Sequence, residues 1–299
     1  MHCLVRPLSI LMLLLSLPSL RSLLLPSRAV PRPLFLSSLP LSTRYTIEEP
    51  SGASLEAEEA KLRKQLSRVR SSKATHAHYQ SLHLPVHTRA AFGEFQSFLS
   101  SSPASSLIID AGCGTGRSSH ILASRHPSSL VVGIDRSLPR LTQTHHAFDA
   151  SSCLHSPEPN LLLLRADLEA FYHLLSLTPS PLPVAHHYFL YPNPFPPTRQ
   201  LHRRLYARPM LGEMAGLGGG ITVRTNWKHY LGHFQEAVKG EDEGRGEERG
   251  EVRLGRVGGE ESGEGREGGF GVGVTNFERK YLDVGEECWE LRMGEARVL

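Results

Sequence analysis

Three short apolar runs, each closed by an aspartate, constrain this chain more than any other feature. They are SLIID (Ser106–Asp110), LVVGID (Leu130–Asp135) and NLLLLRAD (Asn160–Asp167). Runs this short and continuous read as strands buried on both faces, because a strand with one wet face would alternate. Helical stretches separate them: one reaching to about Arg125, then Arg136–Phe148 and Leu168–Leu177. AHHYFLYP (Ala185–Pro192), GGGITVRTNW (Gly218–Trp227) and ECWELRM (Glu287–Met293) extend the series. Strands alternating with helices predict an α/β, doubly wound, mostly parallel Rossmann-like sheet of seven strands. VTNFERKY and ECWELRM could add an antiparallel hairpin at its edge.

The first strand runs into Gly112-Cys113-Gly114-Thr115-Gly116. Glycines after a first strand let backbone amides approach a ligand closely. A dinucleotide fingerprint needs its third glycine at position 117, where this chain has Arg117. Asp110 directly before the glycines would repel a pyrophosphate and attract a cofactor carrying an ammonium and a sulfonium. Asp135, ending the second strand, can accept from ribose hydroxyls, and Asp167, ending the third, can receive an adenine amino group. The pattern favours S-adenosylmethionine over NAD.

In open parallel sheets, ligands bind beyond the carboxyl ends of the strands. The fourth strand therefore delivers Pro192-Asn193-Pro194-Phe195-Pro196-Pro197 to the cofactor. Flanking prolines fix φ and restrict the residues before them, so Asn193 sits on stiff backbone. Prolines and aromatics offer flat apolar surface for a planar base, and Arg199, Arg203 and Arg204 just beyond suit phosphates.

The motifs DAGCGTG, GIDRS, RAD, YPNPFPPTRQLHRR, VRTNW and TNFERKYLDVG, in this order, resemble the bacterial tRNA (guanine-N7)-methyltransferase family over roughly Val86–Met293. A bacterial branch of that family reads PNPWPK in the proline loop. The resemblance implies a seven-stranded methyltransferase sheet and methylation of guanine N7, at guanine 46 of the tRNA variable loop. It implies cofactor contacts at Asp110, Asp135 and Asp167 beside Gly112 and Gly114, and substrate contacts at Asn226, Thr275 and Glu278, with Arg199 nearby. Asn193 takes the catalytic place. A buried carboxylate at Glu278 could accept from guanine N1–H and N2–H₂ together. The well-studied members have aspartate at the positions of Asn193 and Asn226, and lysine at that of Pro197, which leaves open a methyltransferase of the same fold with a different RNA or small-molecule substrate, or a non-catalytic RNA-binding relative. The family includes monomers and homodimers, and its partner is tRNA.

The remaining segments carry less. Residues 1–45 are Leu- and Ser-rich and basic, without an acid before Glu48, and read as a targeting segment to a plastid or mitochondrion. Their apolar runs are broken by Pro18, Arg21 and Pro26, so no stable membrane association is expected. Residues 46–85 read as a basic helical arm, either a solvated face or one that touches RNA phosphates. Residues 240–273, rich in Gly, Glu and Arg, read as a disordered surface insertion. The net charge of +3 implies no nucleic-acid partner by itself. Cys3, Cys113, Cys153 and Cys288 lie too far apart in sequence for a CxxC pair, so reduced thiols and no metal site are expected. His186 and His187 read as packing residues.

Overall fold

The computed structural model describes residues 52–144, 153–155, 158–258 and 271–298. All belong to one compact unit, Pro40–Leu299. The targeting segment expected over 1–45 lies outside the described residues.

Five parallel strands make the centre of the main sheet: β1 (Ser106–Ala111), β2 (Ser129–Asp135), β4 (Leu161–Arg165), β5 (Val184–Leu190) and β6 (Gly220–Thr225). The short β3 (Cys153–His155) runs antiparallel to β4 at one edge. At the other edge β9 (Trp289–Met293) runs antiparallel to β6, and β8 (Val252–Arg256) antiparallel to β9. The order is β3-β4-β2-β1-β5-β6-β9-β8, so the winding reverses between β1 and β5. Six of these strands lie where the sequence places them, and β3 and β8 are additions. A separate ribbon pairs β7 (Glu247–Arg249) with β10 (Ala296–Val298).

Side-chain alternation along each buried strand feeds two cores. Leu107 and Ile109 of β1, Val132 of β2 and Leu162 of β4 pack with Phe95 of α3 (Val86–Ser101) and Phe171 of α6 (Leu168–Leu177). Ile108, Val131 and Leu163 point the other way, toward Leu122 of α4 (Arg117–Arg125) and Leu141 of α5 (Leu138–Thr144). Both faces are thus covered, which explains why the strand sequences are continuous apolar runs.

Three sequence expectations are corrected. Of the arm expected over 46–85, the described residues 52–85 pack against the domain. There α1 (Gly52–Arg70) buries Leu62, Leu66 and Val69, and Gln65 Nε2 donates to Ala207 O at 3.2 Å. In α2 (Ser72–Ser81), His78 Nε2 lies 3.0 Å from Glu169 Oε1 and the Tyr79 ring stacks on His173 at 4.2 Å. Second, much of 240–273 is ordered, since α8 (Lys228–Arg245) runs into it and β7 and β8 follow. Its order rests on ion pairs. Arg249 Nε donates to buried Asp242 at 2.9 Å, and Arg245 Nη2 donates to the same carboxylate at 2.8 Å. Third, VTNFERKY is no strand: it forms α9 (Asn276–Asp283), and the hairpin partner of β9 is β8. Thr275 caps α9 by accepting from Glu278 N–H at 3.0 Å, the T-x-x-E signature of a helix start.

His186 and His187 are packing residues. His187 Nε2 donates to Gly218 O at 3.0 Å while its Nδ1 accepts from the Tyr172 hydroxyl at 2.9 Å, and burial pushes its pKa down to about 3. Cys113 and Cys288 are buried free thiols.

Candidate active site

At the C-terminal ends of the parallel strands, two clefts share a wall made of Gly112, Leu190, Tyr191, Pro192 and Asn193. The larger, of about 760 Å³, carries Asp135 and Asp167 from the tips of β2 and β4, with α1 and α2 contributing its far side. The smaller, of about 480 Å³, carries Gly114, Asn226, Thr275, Lys280 and Tyr281.

The glycine turn is shaped for a ligand to approach its backbone. Gly112 and Gly114 have φ of 81° and 62°, and a Cβ on either would meet nothing within 4 Å. Glycine is needed there for conformation, and the space beside it stays open. Asp135 fixes this turn: its Oδ2 accepts from Gly114 N–H at 3.0 Å and its Oδ1 from Ser137 N–H at 2.7 Å. Arg140 Nη1 lies 3.6 Å from Oδ2. Asp167 caps α6 by accepting from Ala170 N–H at 3.1 Å, and its own N–H donates to Thr88 Oγ1.

Asp110 is not an open carboxylate facing the cleft. It lies beneath the turn with no exposed surface. Ser118 and Ser119 hydroxyls both donate to its Oδ2 at 2.6 Å, and its Oδ1 has no partner. Burial pushes its pKa up to about 6 against the pull of the two hydroxyls. A raised folded-state pKa gives stability that is present below the unfolded value of about 3.9 and is lost as pH climbs through the folded value. Raising the pH from about 4 to above 6 should therefore remove roughly 3 kcal/mol through this group. Denaturation midpoints of the wild type minus those of Asp110→Asn should fall across that window, and a flat difference would contradict the assignment.

On the substrate side, Asn193 is exposed and closes an Asx turn, its Oδ1 accepting from Phe195 N–H at 3.2 Å. The residues around it are strained: Tyr191 and Phe195 have φ of 56° and 44°. Non-glycine residues persist there only where surroundings over-determine them, most often at functional sites. The Tyr191 ring lies 5.5 Å from that of Tyr281, and Arg203 sits over the Phe195 ring at 4.4 Å. Asn226 Nδ2 donates to Glu286 Oε2 at 3.0 Å.

Two expected substrate contacts have internal partners instead. Glu278 is fully buried behind the smaller cleft, where Arg224 Nη1 donates to both its oxygens at 3.1 and 3.3 Å and Gly273 N–H donates to Oε1 at 2.7 Å. An already neutralised carboxylate off the cleft wall is not offered to a guanine edge. Arg204 is likewise buried, paired with Glu58 rather than open to phosphates. Arg199 is exposed outside both clefts. Sequence reasoning missed Arg224. The available signal was a lone cation inside the apolar run GGGITVRTNW, since a buried charge must be paired.

The donor set fits S-adenosylmethionine: an open glycine turn, a carboxylate anchored at each of two strand tips, and one buried carboxylate oxygen unpaired beneath them. The family model that the chain matches and its curated relatives are methyltransferases. Residues 104–249 match the family model Methyltransf_4, described as "Putative methyltransferase". A tRNA (guanine-N(7)-)-methyltransferase of Mycolicibacterium gilvum is 26% identical over 137 residues, 44% of this chain and 49% of that protein. A trans-aconitate 2-methyltransferase of Methylobacterium nodulans is 34% identical over 80 residues, 24% of this chain and 31% of that protein. The chain thus spans about half or less of these curated relatives. Among solved structures, the 16S rRNA methyltransferase KamB aligns with 68% of this chain and 92% of its own, at 21% identity and a TM-score of 0.43.

Proposed function

We propose that this chain, a methyltransferase of the Methyltransf_4 family over residues 104–249, moves the methyl group of S-adenosylmethionine to N7 of a guanine in tRNA, at position 46 of the variable loop. The observation that carries this reading is the wall common to both clefts. Asn193 and Gly112 line both the cleft that carries Asp135 and Asp167 and the one that carries Phe277 and Tyr281, so a donor on one side meets a planar acceptor on the other. The curated tRNA methyltransferase relative and the motif order support tRNA as the substrate class.

Bound S-adenosylmethionine supplies a methyl group on a cationic sulfur. Guanine N7 carries a free lone pair and no proton at neutral pH, so the chain needs no general base. Its work is alignment, which can supply about 7–11 kcal/mol. Asp135 and Asp167, with the open backbone at Gly112, line the donor side. The Asn193 turn orients the base, because its Oδ1 keeps a second lone pair for a guanine N–H after accepting from Phe195. Tyr191 and Tyr281 offer flanking aromatic surface.

An uncharged acceptor at position 193 is weaker than a charged one by roughly 1–2 kcal/mol, or about tenfold in rate. Asn193→Asp should therefore raise the rate about tenfold, while Asn193→Ala should slow it beyond wild type. Mass spectrometry of nucleosides from tRNA incubated with the protein and donor tests the whole reading. The expected product is 7-methylguanosine, lost when guanine 46 is replaced. A methyl group on another base atom, or only on a small acid, would replace this reading with one of a differently tuned acceptor.

A further inference from the structure

The proline loop is held by Arg204, which is itself paired with a residue 146 positions away in the chain. Prolines at 192, 194, 196 and 197 carry no N–H, so this segment cannot hold itself by a backbone ladder. Its carbonyls are held instead by one side chain. Arg204 Nε donates to Phe195 O at 3.2 Å and Nη2 to Pro196 O at 2.9 Å. The same guanidinium donates through Nη1 to the Tyr206 hydroxyl at 2.9 Å and lies over the Trp227 ring at 4.7 Å. It has no exposed surface, and its counter-charge is Glu58 of α1, whose Oε1 accepts from Nη1. Glu58 Oε2 also accepts from Thr198 Oγ1 at 3.3 Å, just past the loop.

The surroundings of Glu58 could be taken for a metal centre. His229 Nε2 and His233 Nδ1, four residues apart on α8, lie 3.4 and 3.9 Å from its Oε1. However, the Arg204 guanidinium rests on that same oxygen and already supplies the positive charge. A dication beside a buried guanidinium, with one carboxylate between them, would leave excess positive charge in a dry interior.

We propose that Glu58 is a positioning residue for methyl transfer. Through Arg204 it fixes the strained Asn193–Phe195 turn, so the N-terminal helix sets the geometry of the transfer loop. Phe195, with its left-handed φ of 44°, is the residue whose carbonyl Arg204 holds. Without Glu58 the buried guanidinium must find water or another partner, and it releases the loop carbonyls as it moves. The role assigned to the loop rests on the methyl-transfer reading above.

The test uses the full chain with Glu58→Gln, which keeps shape and an acceptor, and Glu58→Ala, which keeps neither. Misplacement on the scale of an ångström costs about 100-fold in rate. The expected result is a kcat lowered by about 10-fold in Glu58→Gln and about 100-fold in Glu58→Ala, with donor affinity unchanged. Hydrogen exchange should quicken at Asn193 and Phe195, the loop amides between prolines, but not at Gly112–Gly116. Loop exchange and kcat equal to wild type in both variants would overturn the proposal. So would equal losses of kcat and donor affinity, or one equivalent of zinc in the purified wild type. If the wild type itself methylates no RNA, the functional reading fails, and loop exchange in the variants still decides the role of Glu58.

Discussion

Replacing Asp135 with alanine is expected to weaken S-adenosylmethionine binding by at least ~100-fold, the largest binding effect of any single change. The carboxylate lies at the tip of β2, nearly buried, on the wall of the larger cleft. Its oxygens hold Gly114 N–H and Ser137 N–H, and Arg140 stands beside it. Alanine removes two charge-assisted hydrogen bonds, each worth about 1.5–3 kcal/mol. It also releases the glycine turn at the residue whose positive φ gives it shape. An asparagine can still accept one of the two N–H groups, so Asp135→Asn should fall between alanine and wild type. Titration of the three proteins with donor checks the order. An alanine variant within about threefold of wild type, a difference under ~0.7 kcal/mol, would remove Asp135 from the cofactor site.

The largest effect on stability is expected at Arg224. It is fully buried in β6, and its Nε donates to Glu290 Oε2 at 2.6 Å while Nη1 reaches Glu278 and Gly271 O. Arg224→Met leaves the buried Glu278 carboxylate with only a backbone N–H for support. Orphaning one member of a buried ion pair costs about 3–5 kcal/mol. At about 2–4 °C per kcal/mol for a domain of this size, melting should fall by about 10 °C. Adding Glu278→Gln to Arg224→Met should recover part of the loss, because the orphaned charge is then gone. A single variant that melts within ~2 °C of wild type, a shift worth under about 1 kcal/mol, would mean the ion pair is solvated in the folded protein. The same pair matters for the site, since Glu278 lies on α9, whose Phe277, Lys280 and Tyr281 line the smaller cleft.

What was legible in the sequence follows from physical range. The parallel strands were readable because burial on both faces writes an unbroken apolar run, and the aspartates of the site stand at the ends of those runs. The proline loop was readable because proline chemistry is local. The ordered part of 240–273 was not. Its low apolar content is offset by Asp242, Arg245 and Arg249 pairing across α8 and β7, an arrangement that composition does not reveal. The start of α9 is written in the sequence as Thr275 three residues before Glu278, a signal that competes with the apolar and aromatic residues of VTNFERKY. Arg204 and Glu58 could not be paired from sequence at all. Each looks like an ordinary surface charge until the fold brings α1 against the 3₁₀ turn Thr198–Arg203.

The most direct measurement is calorimetric titration of the purified wild-type chain with S-adenosylmethionine and, separately, with its demethylated product. Donor seating by the glycine turn and the strand-tip carboxylates predicts saturable one-to-one binding of both, tighter than ~100 μM, about 5.5 kcal/mol. The absence of saturable heat with either ligand would contradict it.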